Sequence, residues 1–585
     1  MMKKHLVLIA CLIISIPASA QYPGGINTGL KVWLKANSGI TPGPTNTVTV
    51  WNELSGANVT GNMSATVNPF TLAPPTYNPA GLNFNPHVVF VQNNGNSLSS
   101  TNQFTGNTLL DPTNNTVLEV IRVHNTPNTG VWLKWQFLNT SSFRLGNEYN
   151  TGNTGRIRFD WAGTMLLSTT PVTEKYCLAN MTTEAQKTIR LNGALDATGP
   201  SATFNPPATP GRFAIGGEPA GTAGSTEQYY CSIDYAEVII FSRILTVAER
   251  NKVESYLAVK YGFTLDQGAV AANDYTSSTG SVTWSRTANL PFVNNITGIG
   301  RDDGDSLIQR QSKSINTTGM VTIYNGSYTG ANFPATNTGN ANNFTANNSY
   351  LLFGDNALAT NFNRCFSATG MGFTRMPRIW KAQTTGTIGT VTLAVNAADV
   401  PANTRHLLVS TDTAFAAANT TIYRLDIANG SLSKSITLPN NSYFTYASDT
   451  LVAHPTSNSP LCQGTTLQLN SNIAGLTSYS WTGPNSFSST VQNPSIVGAT
   501  SVNAGYYVLN GSIAGCSLKP DSVRVIVSTK PAPPTVITPI YYCAGDLAAP
   551  LTATGNGLKW YSTPVGGTGT TTPPIPNTAY EDSIT

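Results

Sequence analysis

The sequence predicts an all-β chain of several domains, and three observations carry that reading. Short apolar and polar alternations recur between clusters of Asn, Thr, Gly, Ser and Pro, the pattern of pleated strands joined by turns. One stretch, Thr246 to Gly262, stands apart with the periodicity of an amphipathic helix. A length of 585 residues exceeds one hydrophobic core, and at about 100 to 200 residues per domain it divides into roughly three to five.

The first element is an export signal. Lys3 and Lys4 precede an apolar run from Leu6 to Ile16, and Ala18-Ser19-Ala20 offers small residues for cleavage before Gln21. The run is too short to span a bilayer. A lipoprotein reading, with Cys11 lipidated, competes less well because few apolar residues precede that cysteine and a better cleavage site follows. Residues 1–20 therefore read as a signal peptide. The remaining chain is expected to be secreted or on the outer cell surface, with no membrane insertion after cleavage. Charged residues are 10% and the net charge is +4, which lacks the basic field of a nucleic-acid binder.

From Tyr22 to about Gly262, "TVLEVIRVHN", "GVWLKWQFLN", "GRIRFDWAG", "KTIRLNGAL" and "YAEVIIFSR" read as strands of a sandwich or jelly roll. The helix follows them. Thr246 is its N-cap and Glu249 completes a capping box; Val253, Tyr256, Leu257 and Tyr261 share one face; Gly262 supplies the left-handed stop. Further on, Cys462, Trp481 and Cys516 have the spacing of an inter-sheet disulfide and core Trp in an immunoglobulin-like sandwich. After the Pro-rich linker "TKPAPPTVITP", Cys543 and Trp560 repeat the pattern of Cys462 and Trp481. That second repeat reads as cut short. Cys177 and Cys231 are a further possible pair, and Cys365 has no assigned partner.

"VTVWNELSG" (Val48 to Gly56), "GLNFNPHVVF", "LNG" at Leu191 and "AEVIIFSRILTVAERNKVESYLAVKYGFTL" together resemble the laminin G-like, concanavalin A-like jelly rolls in exported modular proteins of gliding Gram-negative bacteria, cargo of the type IX secretion kind. Glu53 stands where that family usually has Asp. The resemblance implies that the helix packs at the jelly-roll edge, marking a domain's end. "NNITGIGRDDGDSLIQRQSKSIN" (Asn294 to Asn316) is similar to an uncharacterised domain that often follows it. The expected organisation is a jelly roll over 21–262, an uncharacterised β-rich domain over 263–453, an immunoglobulin-like domain over 454–529 and a truncated repeat over 530–585.

Enzymatic motifs such as HExxH, GxSxG, a P-loop or CxxC are absent from the sequence, and His87, His124, His406 and His454 are each isolated along the chain. The chain is expected not to be an enzyme. Asp302, Asp303 and Asp305 in "RDDGDSL" read either as calcium ligands or as a hairpin turn. In "GVWLKWQF" and "GRIRFDW", alternation sets Trp132 beside Lys134 and Gln136, and sets Arg156, Arg158 and Asp160 opposite Ile157, Phe159 and Trp161. An aromatic face beside charged groups suits glycan binding, so Trp132, Arg156, Arg158 and Asp160 form a candidate site for an extracellular polysaccharide or surface glycan. The other reading of Trp132 is a ring covered by a loop or a neighbouring domain. The function expected is adhesion or glycan binding; the alternatives are a structural spacer and a polysaccharide-degrading enzyme.

Asp followed by Ser or Thr and an aliphatic residue, a sequon for bacterial O-glycosylation, recurs at Ser306, Thr413, Thr450, Ser522 and Ser583. Sugars there would solvate domains that carry few charges. Glycopeptide analysis of protein from its native host is expected to find at least two of these occupied, and an unmodified chain at all five would reject the assignment.

Overall fold

The computed structural model describes residues 21–66, 73–92, 95–124, 135–136, 144–145, 155–161, 164–203, 210–217, 231–268, 274–329, 332–368, 371–449, 451–513, 515–529 and 531–579. Strands make up 42% of it and helix 6%. The all-β expectation holds. The chain divides into two compact units, 1–450 and 451–585.

An eight-stranded antiparallel sheet organises the first unit, in the order Ala194–Pro200, Gln186–Leu191, Tyr176–Thr183, Asn115–Val123, Ile233–Phe241, Asn85–Phe90 and Thr76–Leu82. Leu30–Lys35 pairs with the second half of Ile233–Phe241, where Asn85–Phe90 has ended. The strands Asn115–Val123 and Ile233–Phe241 are buried at nearly every position because both faces of the sheet are covered. On the inner face, Val117, Ile121, Met181, Val238 and Ile240 pack beneath two four-stranded sheets, burying Trp51, Phe159 and Trp161. Arg158–Trp161 alternates in burial as its sequence predicts.

The outer face carries Leu118, Val120, Leu178, Ile239 and Phe241, and the helix Val247–Tyr261 lies over it. Thr246 and Glu249 form the expected capping box, and Gly262 ends the helix at φ 75°. One feature differs from the sequence expectation. Every residue from Val253 to Tyr261 is buried, not one face alone. The reason is that Ile296, Leu307, Tyr350 and Leu352 of the following region join the same apolar cluster. The helix is a pillar between two sandwiches, inside one apolar cluster that draws residues from both.

Polar contacts reinforce that junction. The hairpin tip at Asn83 and Phe84, both left-handed, reaches past the helix end. Asn83 Nδ2 donates to Lys260 O at 3.1 Å and to Ser312 Oγ at 2.9 Å, while Asn83 Oδ1 accepts from Lys313 N at 2.8 Å. Asn85 Nδ2 also donates to Lys260 O, at 2.8 Å, so an orphan helix carbonyl is satisfied by side chains. Glu53 is likewise structural: its Oε1 accepts from Trp33 N and Ser55 N at 2.8 and 2.6 Å.

Beyond the helix, a nine-stranded and a five-stranded sheet form a second sandwich around Ile299, Phe353, Trp380, Leu393, Leu407 and Phe444.

In the second unit, Trp481 is fully buried among Leu467, Leu469, Tyr507 and Leu509, as its spacing predicts. The expected disulfide is not formed. Cys516 is disulfide-bonded, as is Cys365, but Cys462 is an exposed thiol. Strand parity explains this: in Leu461–Cys462 the inward position belongs to Leu461. The suggested Cys177–Cys231 bridge is also absent; both are buried thiols, and Cys231 Sγ donates to Gly216 O at 3.6 Å. Among the described residues from 531 onward none joins an apolar cluster, and Trp560 is only half-buried, unlike Trp481.

A Cβ on residue 262 would stand 2.5 Å from Lys313 O. Gly262→Ala is expected to cost at least about 1–2 kcal/mol, the left-handed penalty alone, read as a lowered unfolding midpoint of the first unit. An unchanged midpoint would mean the helix end is not held by the second sandwich.

Candidate functional site

Alternation along four neighbouring strands brings five polar side chains together at one end of the outer face, beyond the helix. Tyr176 is registered with Arg122, and Arg122 with Asp234, so the three project from the same side. His87 joins them from Asn85–Phe90, and His124 follows Arg122 just past its strand. Asp234 is the centre. It is fully buried, and it accepts from Arg122 Nη2 at 2.6 Å, Arg122 Nε at 2.9 Å, His124 Nε2 at 2.9 Å and Tyr176 OH at 3.1 Å.

The surrounding groups grade outward to solvent. His87 is 2% exposed, His124 24%, Arg122 32% and Glu174 52%. The Arg122 guanidinium lies 4.8 Å from the Tyr176 ring centroid, a cation–π contact. His124 is held between two carboxylates, with Nδ1 3.2 Å from Glu174 Oε2. Gly81 makes room for the inner wall, since a Cβ there would fall 1.7 Å from His87 Cε1.

These contacts set the charges. The hydrogen bond to Asp234, against partial burial, raises the His124 pKa from its ordinary value and so stabilises the imidazolium relative to a free imidazole. Burial alone would raise the Asp234 carboxyl, but the His124 hydrogen bond and the neighbouring cationic groups outweigh it and hold it below the usual range. Burial lowers the His87 pKa despite Asp234. A carboxylate held ionised and an imidazole clamped between two acids suit fixed recognition better than proton transfer.

Sequence reasoning left His87 and His124 as isolated residues. The available signal was weak: Arg122 and Asp234 are charged positions within apolar strands, but their meeting depends on a register of distant segments. The predicted glycan residues are placed only in part. Trp132 lies outside the described residues. Arg156 is exposed, and Arg158 and Asp160 are half-buried in a 2.7 Å ion pair on the outward side of a four-stranded sheet. Arg158 and Asp160 are thus brought together, away from the Asp234 strand.

The calcium reading of "RDDGDSL" does not match the geometry. Asp302 accepts from Ser278 N and Oγ, Gly304 N and Tyr350 OH; Asp303 pairs with Arg301 at 2.8 Å. Asp305 is buried, and that burial, followed by the Asp302 charge, pushes its pKa well up. Among the described residues no three His, Cys, Asp or Glu side chains are disposed to hold a metal ion. Of the glycosylation candidates, Thr413 and Ser522 are exposed, Ser306 is half-buried and accepts from Lys35 Nζ, and Thr450 and Ser583 lie outside the described residues.

Residues 249–442 match a domain of unknown function, DUF8202, which begins inside the helix at its capping-box Glu249. No curated protein matches the chain. Among solved structures it is similar to a Trypanosoma rangeli sialidase in complex with sialic acid, at 14% identity and TM-score 0.25, over 39% of this chain and 32% of that one. It is similar also to domain 4 of AbnA, an extracellular arabinanase from Geobacillus stearothermophilus, in complex with arabinotriose, at 11% identity and TM-score 0.27, over 39% and 97%. A third is the binding domain of botulinum neurotoxin serotype D, at 10% identity and TM-score 0.30, over 73% and 98%. The chain thus spans about a third of the sialidase.

The histidines are expected to titrate apart. His124 should titrate above 6.5 and His87 below it, followed by NMR of the imidazole resonances. For His124 the stabilisation is complete below its unfolded pKa and lost as pH rises through the raised folded value. The Asp234 contribution is present above its unfolded pKa and lost as pH falls through the depressed folded value. His87 opposes His124, destabilising the fold as pH falls below 6.5. Coincident titration of both histidines would reject the assigned geometry.

Proposed function

We propose that this is an exported, non-enzymatic binding protein of the cell surface or extracellular space, whose first unit engages an extracellular polysaccharide or surface glycan. The observation that carries the reading is the partly exposed surface of Arg122, Tyr176 and His124 locked onto buried Asp234, with Glu174 against His124. Sugars present hydroxyl pairs to planar donors and acceptors, and here the donors are already fixed in orientation. Binding then loses little rotamer entropy. The export signal in the sequence and the low charge support an extracellular, uncharged polar ligand over a nucleic acid.

Non-enzymatic action is supported by the same groups. Two-carboxylate glycoside cleavage uses a carboxyl kept protonated beside a second carboxylate, whereas Asp234 is held ionised and engaged by Arg122, His124 and Tyr176. The sequence-predicted patch at Trp132, Arg156, Arg158 and Asp160 is a second surface for the same ligand class.

A glycan array probed with the full chain tests the proposal. Arg122→Lys keeps the charge but loses the forked geometry, and it is expected to weaken binding about tenfold, or roughly 1.4 kcal/mol, with the unfolding transition retained. Loss through Trp132→Ala alone would move the site to the residues expected from the sequence, Trp132, Arg156, Arg158 and Asp160. Binding to no glycan would favour the spacer reading, and product release from a polysaccharide would favour an enzyme.

A further inference from the structure

The covered part of the outer face holds a second buried carboxylate, Glu237, in surroundings unlike those of Asp234. Lys260 Nζ approaches Glu237 Oε2 at 2.7 Å, with the two side chains 3% and 1% exposed. Trp33 Nε1 and Tyr256 OH donate to Oε1 at 2.6 and 2.8 Å, and Tyr261 OH donates to Oε2 at 2.9 Å. The same Lys260 Nζ donates to the side-chain carbonyl oxygen of Asn37 at 3.0 Å. An amine, a carboxamide and a carboxylate therefore meet in a pocket walled by Trp33, Tyr256 and Tyr261.

Each partner is fixed from behind. Asn37 sits in the turn after Leu30–Lys35, held by Ala36 N on Ala236 O and Gly39 N on Lys35 O, at 3.0 and 3.1 Å. Lys260 lies in the last turn of the helix, where Asn83 and Asn85 bind its carbonyl. Such convergence gives reacting groups a high effective concentration.

The geometry points to a covalent amide between Lys260 Nζ and Asn37 Cγ, formed within the folded chain with Glu237 as the proton carrier. Lys260 first passes a proton to Glu237 along their hydrogen bond. The neutral amine attacks Asn37 Cγ, forming the new C–N bond. The carboxamide C–N bond then breaks as Glu237 returns a proton to the departing nitrogen and takes the second one from the former amine. One C–N bond forms and one breaks, ammonia leaves, and the surplus proton stays on Glu237 or departs with ammonia as ammonium. No oxidant or cofactor is needed.

Two physical features favour the step. Burial lowers the Lys260 pKa, with Glu237 acting against it, so desolvation assists loss of the ammonium charge. A buried ion pair also carries a desolvation penalty, and amide formation removes the lysine charge permanently. The resulting cross-link would join positions 223 residues apart, tying the first strand of the main sheet to the helix that supports the second sandwich. Load entering one sandwich would then pass to the other through a covalent bond.

Intact-mass measurement of the folded full chain, followed by proteolysis and peptide sequencing, tests this. The expected result is a protein lighter by one ammonia and a branched peptide joining the segments around Asn37 and Lys260. Asn37→Ala and Glu237→Gln are each expected to restore the unmodified mass for their sequences. Wild-type protein at full mass overturns the proposal without any variant. An ammonia loss without a branch, as a succinimide at Asn37-Ser38 would give, overturns it as well.

Discussion

The first unit depends on a buried carboxylate at the point where a sheet, a helix and a second sandwich meet. Glu237 projects onto the outer face of the main sheet because of the register shift between Tyr235 and Glu237. Without that bulge, Asp234 and Glu237, three positions apart, would fall on opposite faces. With it, both carboxylates share one face. A charge placed there must be matched by donors or removed, and Trp33, Tyr256, Lys260 and Tyr261 supply them from the first strand and the helix. The helix position is therefore set by a polar requirement as well as by apolar contacts with Leu118, Val120 and Leu178.

The two carboxylates lead to different outcomes because of what covers them. Around Glu237 the helix and the second sandwich exclude water. Around Asp234, Arg122 and His124 remain partly exposed. The covered site favours a fixed structural connection. The partly exposed one keeps an oriented set of donors near the surface. The bulge thus places an anchor and a recognition surface on one strand.

Local features of this fold were legible in the sequence, and long-range ones were not. Thr246, Glu249 and Gly262 mark the helix because capping is decided within a few residues. Alternation correctly turned Phe159 and Trp161 inward. The buried Lys260 was not legible, since a lysine in the last helical turn ordinarily faces solvent and favours the helix dipole; its burial requires a second sandwich from a distant segment. Cys462 misled for a related reason. Its spacing from Cys516 fits a bridge, but parity beside Leu461 turns it outward. His87 and His124 became neighbours only through pairing across three strands.

The junction also carries less charge than its residues suggest. Burial and the Lys260 charge bring the Lys35 pKa down to about 7, against the pull of Glu237 and Asp305, while burial and then Asp302 push Asp305 upward. Lys35 therefore binds fewer protons when folded between about pH 7 and its ordinary value, so its contribution to stability rises with pH across that window. Asp305 binds more when folded above its ordinary carboxylate value, so its contribution falls as pH rises from there. The opposing slopes follow from one cause: in water-excluded surroundings each group moves toward its neutral form. Neutralisation by proton shift is reversible and follows the medium. Conversion of Lys260 to an amide would make the same relief permanent and independent of pH, which is why a buried lysine beside a carboxamide and a carboxylate has both the means and the driving force to react.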